Sequence, residues 1–534
     1  MKYRILVFLF CCFLYSSLKA QKADITVGPP YRVIDAHTKL YFHDRDEVMT
    51  VKIDGQMIFI QKFDKNLKFK SQHEYKDLPR NAAIEWIGEH NGGFYLFYSE
   101  WDGSKKLDQL FYREIDFANG TLNKETNKLL AVPGKISGDM IRKGMRVVVT
   151  NKFNFLDSYD GSKLMIQYRK VPEFKSDKKS HDIIGMHVFG RYFNPIWSKE
   201  VTMPYTEKMM NNLDYSVDKD GNAYVLAMVY NDETTDSKRS NKDSPNYHIE
   251  LLTVHANSEG VNKTPISLQD KFINTLNIFE ASDDFMLCAG FYNEGEAMRD
   301  ADGIFVCKVR KDGQIFDSNT YEISLELINK NLSDRAARKN IKKDKKEDQK
   351  ASLSNLYFDH ADLLEDGSII MVGEQFSANT FTSNINGRSH TYTIYNYNDI
   401  LATKISPDGQ LVWINKIPKR QSDYNNAGSM SYKYFRQGGR HHFVFLDNIE
   451  NEDLQGNEVP HIIGNKGVGL LTDYTIDDAT GNMKRVNLFN TEDVNGMRVY
   501  QLTPSRVMQP NDDQFIVEVY KKKKEDVLLR VNIK

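Results

Sequence analysis

The stretch from Leu356 to Lys419 constrains the fold most. It holds four short apolar runs, Ala361–Leu364, Ser368–Glu374, Ile400–Ile405 and Leu411–Ile417, divided by turns and by one polar excursion. Runs of this length, bounded by turn residues and rich in β-branched and aromatic side chains, read as strands. Four in succession make one small antiparallel sheet. Related runs fill most of the chain: Glu47–Gly55 with Met57–Asp64, Gly92–Gly103 with Leu110–Asp116, and Ser162–Tyr168 with His181–Phe189 and Pro195–Val201. They continue as Asp218–Tyr230 with His248–Gly260, Asp283–Tyr292 with Gly303–Phe316, Arg440–Asn448 with Gly467–Val486, and Asp512–Tyr520 with Asp526–Lys534.

Sheets repeated along a chain point to an all-β fold, a β-propeller of seven or eight four-stranded blades. Blades are covered on both sides by their neighbours, which explains why apolar and polar residues do not alternate cleanly. The dipeptides at 54–55, 119–120, 312–313 and 408–409 are Asp-Gly or Asn-Gly, the residues that tight hairpins demand. The last unit stops after its third strand, and an unpaired edge would remain there. An N-terminal strand within Ile25–Asp35 is therefore expected to complete the C-terminal blade and close the ring.

Residues 1–20 read as a secretory signal peptide. Lys2 and Arg4 precede an apolar run, Ile5–Tyr15, which at about a dozen residues is too short to span a bilayer. Ser16, Ser17 and Ala20 form the cleavage region, so residues 21–534 are expected as a single propeller domain, exported and without a membrane span after cleavage. The expected location is the periplasm or the outer membrane, with full secretion as the alternative. Only Cys288 and Cys307 remain in the mature chain, read as buried thiols ahead of a cross-strand disulfide. A net charge of −2 argues against bulk attraction to nucleic acid.

The run Ser406–Ile417 (SPDGQLVWINKI), with weaker copies at Lys311–Phe316 and Asn194–Val201, resembles the repeats of quinoprotein-dehydrogenase-like propellers. In enzymes of that family the resemblance implies pyrroloquinoline quinone over a tryptophan, held by calcium and charged residues. No residues here match that cofactor site, and the regular tryptophan pattern is mostly missing. The chain also resembles the large exported propellers of Bacteroidota, in which a signal peptide followed directly by Gln is usual.

No motif for a catalytic, nucleotide or cofactor site is present. Asp218-Lys-Asp220-Gly221-Asn222 opens like a calcium loop, but strand begins at once after it and the remaining oxygen ligands are missing. It reads as a polar turn. His441 and His442 are neighbours in a strand and point to opposite faces, so they cannot share a metal. Asp359, His360, Asp362 and Glu374 are acid–base candidates facing the axis, with no pair favoured.

Two stretches stand out as binding elements. Residues 327–353 break the strand pattern with a Lys-rich insertion, a helix or loop carrying Arg338, Lys342, Lys343, Lys345 and Lys346. Ser389–Asp399 carries Tyr392, Tyr395 and Tyr397, a residue type enriched at recognition surfaces. The expected function is a non-catalytic binding or scaffold protein of the bacterial cell envelope, an accessory of outer-membrane assembly or secretion, without cofactor or metal and with a protein as partner. The alternative is a glycan-binding or glycan-processing propeller. A quinone-dependent dehydrogenase is the third reading.

Overall fold

In the computed structural model, the described residues are 23–533, apart from 144–145, 173–178, 236–243, 259, 267–270, 282–283, 296–298, 347–349, 386–387, 425–427, 465–467 and 512. The signal-peptide reading falls outside them.

Among the described residues the chain forms eight antiparallel sheets built on four strands, three of them with a fifth strand added. Within each blade the strands are called A to D in spatial order. Blade 1 spans Thr38–Tyr75, blade 2 Ala83–Pro133, blade 3 Phe153–Thr206, and blade 4 Met210–Ile266. Blade 5 spans Phe272–Glu322, blade 6 Leu356–Ile417, and blade 7 Lys433–Asn490. Blade 8 takes three strands from the C-terminus, Gln501–Asn511, Gln514–Lys522 and Glu525–Asn532, and its fourth from the N-terminus, Asp24–Val27. Asp24 pairs with Asn532 and Val27 with Leu529, so the two ends of the chain share one sheet. This is the closure expected from the bare third strand at the C-terminus. A two-stranded ribbon, Asp139–Lys143 with Arg146–Thr150, lies between blades 2 and 3.

The A strands of successive blades pack side by side, from blade 3 to blade 6 and from blade 7 through blade 8 to blade 1. Being innermost, they are mostly half-exposed, as in Thr38–Asp44, whereas Val48–Lys52 in the next strand is buried throughout. Buried apolar side chains fall into eight clusters, each shared by two neighbouring blades. The core is therefore a ring of layers between sheets, and every middle strand is covered on both faces.

Aromatic residues on D strands tie blades together. Trp197 Nε1 of blade 3 donates to Gly221 O of blade 4 at 2.7 Å. Tyr321 of blade 5 donates to Gly409 O of blade 6, and Trp413 Nε1 of blade 6 donates to Asp478 O of blade 7 at 3.0 Å. Two of these three lie in the runs that carry the quinoprotein-like resemblance, so in this chain the tryptophans of those runs dock blades.

The layer between blades 8 and 1 is the smallest of the eight. A buried ionic network supplements it. Lys52 Nζ lies 2.6 Å from Glu518 Oε2 and 3.6 Å from Asp526 Oδ2, and all three side chains are fully enclosed. Tyr31 and Tyr41 donate to the two oxygens of Glu518 at 2.5 and 2.7 Å. Burial alone would raise the Glu518 pKa, but Lys52 and Arg506 override it and hold the carboxyl below its ordinary range. Burial, and then the charge of Glu518, pushes Asp526 up to about 6.

Because Asp526 is raised in the folded state, it binds a proton there that the unfolded chain gives up near pH 4. Its contribution to stability is present in acid and lost as the pH rises through about 6. Asp526→Asn removes that dependence. In urea unfolding, wild-type stability relative to the variant should rise as the pH falls from 7 to 5; parallel profiles over that range would refute this account of the seam.

Candidate functional site

Strand parity separates two faces of the disc. With four antiparallel strands per blade, every A–B and C–D connection lies on one face, and every B–C and D–A connection lies on the other. The first face carries short turns, with exposed carboxylates at Asp44, Asp160, Asp312, Glu365, Asp366 and Asp408. The second carries the long insertions, including both stretches singled out in the sequence.

The B and C strands of blade 6 run for 17 and 18 residues, Ile369–Ile385 and Arg388–Ile405, whereas those of the other blades run for 6 to 10. Beyond Phe376 the pair leaves the sheet as a hairpin that projects about 30 Å. A short fifth strand, Gln421–Tyr424, pairs with the C-strand side of this hairpin over Ile394–Tyr397.

Alternation places the three tyrosines on two faces. Tyr395 and Tyr397 pack on Phe376, at ring separations of 6.4 and 4.8 Å. Tyr392 lies on the opposite face between Phe381 and Tyr424, 5.7 Å from each. Phe381, Tyr392 and Tyr424 are 45, 38 and 58% exposed, so an aromatic cluster is open to solvent on that face. Phe381 and Tyr424 were not picked out from the sequence. The Phe-Thr and Asp-Tyr contexts gave no signal, because only the strand pairing brings them beside Tyr392.

The insertion folds as two helices, α1 (Leu325–Asn329) and α2 (Asp334–Asp344), capped by Ser324 and Ser333, whose hydroxyls accept from Leu327 and Ala336 N–H. Arg338 and Lys342 on α2 and Lys345 and Lys346 just beyond it are exposed, and Lys343 is half-buried. Arg335, Arg338, Lys339 and Lys342 follow the i, i+3, i+4, i+7 spacing and form one outward basic stripe.

Buried lysines root both elements on blade 6. Lys416 Nζ donates to Ile328 O at the end of α1 and meets Asp399 at the base of the hairpin, both at 3.1 Å. Lys419, fully enclosed, lies 2.7 Å from Glu374 and donates to Tyr397 O at 2.9 Å. Burial pulls its pKa below the usual lysine range, and Glu374 opposes that shift. Asn331, just after α1, donates to the carbonyls of Gly456 and Glu458 in the B–C loop of blade 7. Helices, hairpin and neighbouring loop thus stand on one rigid base. Neither Lys416 nor Lys419 was marked as special by its sequence context, since a lysine near a strand end normally lies in solvent.

The other sequence candidates serve the scaffold. Asp218 is buried and caps its own turn, accepting from Asn222 N–H and Tyr224 OH. The ammonium of Lys311 lies 2.8 to 3.4 Å from Asp220, Asp218 and Glu280, so a protein cation neutralises that cluster. Among the described residues, no group of three or more His, Cys, Asp or Glu is placed to hold a metal ion. His441 meets Asp478 towards blade 6, while His442 meets Asp473 and stacks on Phe435 towards blade 8. Asp359 accepts from Tyr432, His360 pairs with Asp362, and Glu374 belongs to the Lys419 base. Cys288 and Cys307 face each other across adjacent strands of blade 5 as free buried thiols, and burial raises both pKa values, that of Cys307 to about 12.

The channel wall between blades 2, 3 and 4 has a cavity of about 460 Å³ lined by Glu85, Trp86, Asn154, Phe155, Asp214 and Tyr215. Trp86 stacks on Phe155 at 5.2 Å and 17°. Burial raises the pKa of Glu85 and of Asp214. Each carboxylate already accepts a backbone N–H of the next blade, Lys152 for Glu85 and Ile278 for Asp214. The pair is engaged in holding blades together.

No family model matches the sequence, and no curated protein matches it. Among solved structures, the chain is similar to a quinohemoprotein alcohol dehydrogenase from Pseudomonas putida HK5, at 8% identity over 96% of this chain and 76% of that one, with a TM-score of 0.38. It is similar to the WD40 domain of SCAP from fission yeast, at 8% identity over 97% and 96% of the two chains, with a TM-score of 0.36. It is also similar to a protein of unknown function from Bacteroides caccae, at 10% identity over 74% and 95%, with a TM-score of 0.26. The propeller assignment rests on the eight sheets themselves.

Lys419→Met leaves the Glu374 carboxylate enclosed without its cation. Breaking a buried pair from one side costs about 3–5 kcal/mol. Urea unfolding should show a loss of that order, and amide exchange over Thr393–Tyr397 should accelerate; unchanged exchange there would show that the hairpin does not depend on this base.

Proposed function

We propose that this chain is a non-catalytic scaffold of the bacterial cell envelope, exported to the periplasm or held at the outer membrane, where it docks a protein partner of an assembly or secretion complex. The observation that carries this reading is the extended hairpin of blade 6. It stands out of the insertion face, is rooted by enclosed lysines, and exposes Phe381, Tyr392 and Tyr424 together. Clustered aromatic side chains on a rigid support are what interface hot spots are made of. The basic stripe of α2 supplies charge on the same face, which speeds and orients encounter with an acidic partner. Placing function in loops on a rigid disc is the usual division of labour in such folds. Lys2 and Arg4, followed by the apolar run Ile5–Tyr15, support export.

A second reading, glycan binding at the channel wall, is favoured by the cavity beside the stacked Trp86 and Phe155. Aromatic faces next to amide side chains suit a sugar ring. With Glu85 and Asp214 bonded to backbone, this reading concerns binding and not hydrolysis.

The scaffold reading is tested by purifying the protein from its native envelope beside a variant in which residues 377–396 are replaced by a two-residue turn. A partner present in stoichiometric amount with the wild type and absent with the variant is the expected result. A partner retained by the shortened form removes the hairpin from the docking surface. A clean monomer in both, with retention on a glycan array that Trp86→Ala abolishes, transfers the function to the channel.

A further inference from the structure

The projecting hairpin has a bare edge. Its B strand pairs with the A strand of blade 6 only as far as Gln375, and beyond that only with its own C strand. Phe376 N–H still donates towards the A-strand side, to Asn355 O at 2.9 Å. The pairing from Phe376 to Ile385 has no register shift. Backbone groups alternate sides along a strand, so the N–H and C=O of Ala378, Thr380 and Thr382 point outwards on that same side. Among the described residues none of them meets another strand. Ala378–Thr382 are all exposed, whereas Thr393–Tyr397 on the opposite strand, where Gln421–Tyr424 pairs, are half-buried.

Edges of this kind are normally blunted by charge, proline, a bulge or shortness. The outer strands of the blades follow that rule, from Lys70 in blade 1 to Lys484 in blade 7 and the four-residue strand of Asp24 in blade 8. Ala-Asn-Thr-Phe-Thr has none of these protections. It is also self-complementary. In an antiparallel pair centred on Thr380, Thr380 lies opposite Thr380, and Ala378 lies opposite Thr382. Every outward backbone group then meets another outward group, and no charges are opposed.

We propose that the occupant of this edge is a second copy of the chain, joined edge to edge about a two-fold axis through Thr380, so that the two hairpins form one continuous sheet. Such an interface is isologous and closes at two subunits. Each Phe381 then lies beside Asn379 of the other copy, which extends the Phe381–Tyr392–Tyr424 cluster across the joint. The edge is distinct from the aromatic faces of the hairpin, so this inference does not rest on the docking of a different protein.

The test is the mass of the mature full-length protein by light scattering and sedimentation, over a concentration series, for the wild type, Thr380→Pro and Thr380→Ala. Thr380 N–H points away from the C strand, so proline there removes an outward donor without breaking the hairpin ladder. Alanine keeps the donor and loses only the hydroxyl bond to Thr393. The wild type and Thr380→Ala are expected to dimerise. Thr380→Pro loses two backbone bonds across the axis and should dimerise about 30-fold more weakly, equivalent to about 2 kcal/mol. An unchanged melting temperature for Thr380→Pro confirms that the blade is intact. A wild type that stays monomeric throughout overturns the proposal, as does a dimer indifferent to proline. A monomer from which Thr380→Pro releases a stoichiometric protein partner assigns the edge to a strand of that partner instead.

Discussion

The seam between blades 8 and 1 is the constraint on which the ring depends. Every other pair of neighbouring blades shares a larger apolar layer. At the seam, the N-terminal strand Asp24–Val27 must find Glu525–Asn532 at the far end of the chain. The apolar layer there is the smallest of the eight, and Lys52, Glu518, Asp526, Tyr31 and Tyr41 fill what it lacks. Buried ion pairs are weak sources of net stability because each ion gives up its hydration. Their value here is directional: Glu518 on blade 8 is matched by Lys52, Tyr31 and Tyr41 from the N-terminal part of the chain, and a slipped closure would strand an ion in the interior.

A closed ring with strand order A to D in each blade fixes where function can be placed. Insertions after B or D strands all emerge on one face. The hairpin and helices around blade 6 use that face, while the acidic turns of the other face stay short. The lysines at 416 and 419 give these projections a rigid footing, since their ammonium groups bind carbonyls that belong to the hairpin and to α1. An outgrowth held this way presents its aromatic cluster and its bare edge at low entropic cost.

Much of the architecture was legible in the sequence, and for a physical reason. Apolar runs of strand length with Asp-Gly between them are local signals, and the missing fourth strand at the C-terminus follows from counting. The turn reading of Asp218–Asn222 and the opposite facing of His441 and His442 are also local, and the structure agrees with both. The insertion near 327–353 was visible as a change of composition, although its division into two capped helices was not. The three tyrosines were legible as an unusual density of one residue, but their division between two faces depends on the hairpin, and their partners Phe381 and Tyr424 depend on strand pairing. The buried lysines were not legible at all, because nothing in their flanking residues distinguishes an enclosed ammonium from a solvated one.

By itself, the sequence determined what short-range chemistry determines: strand-forming runs, the turns between them, a ring of seven or eight sheets and the need for an N-terminal strand to finish the last one. Only the tertiary structure decided which residues share a layer, which connections share a face and which backbone edge is left bare. Those are relations between segments far apart in the chain, such as Lys52 with Glu518 or Asn331 with Gly456. Burial and strand pairing create them, and neither quantity exists until the ring has closed.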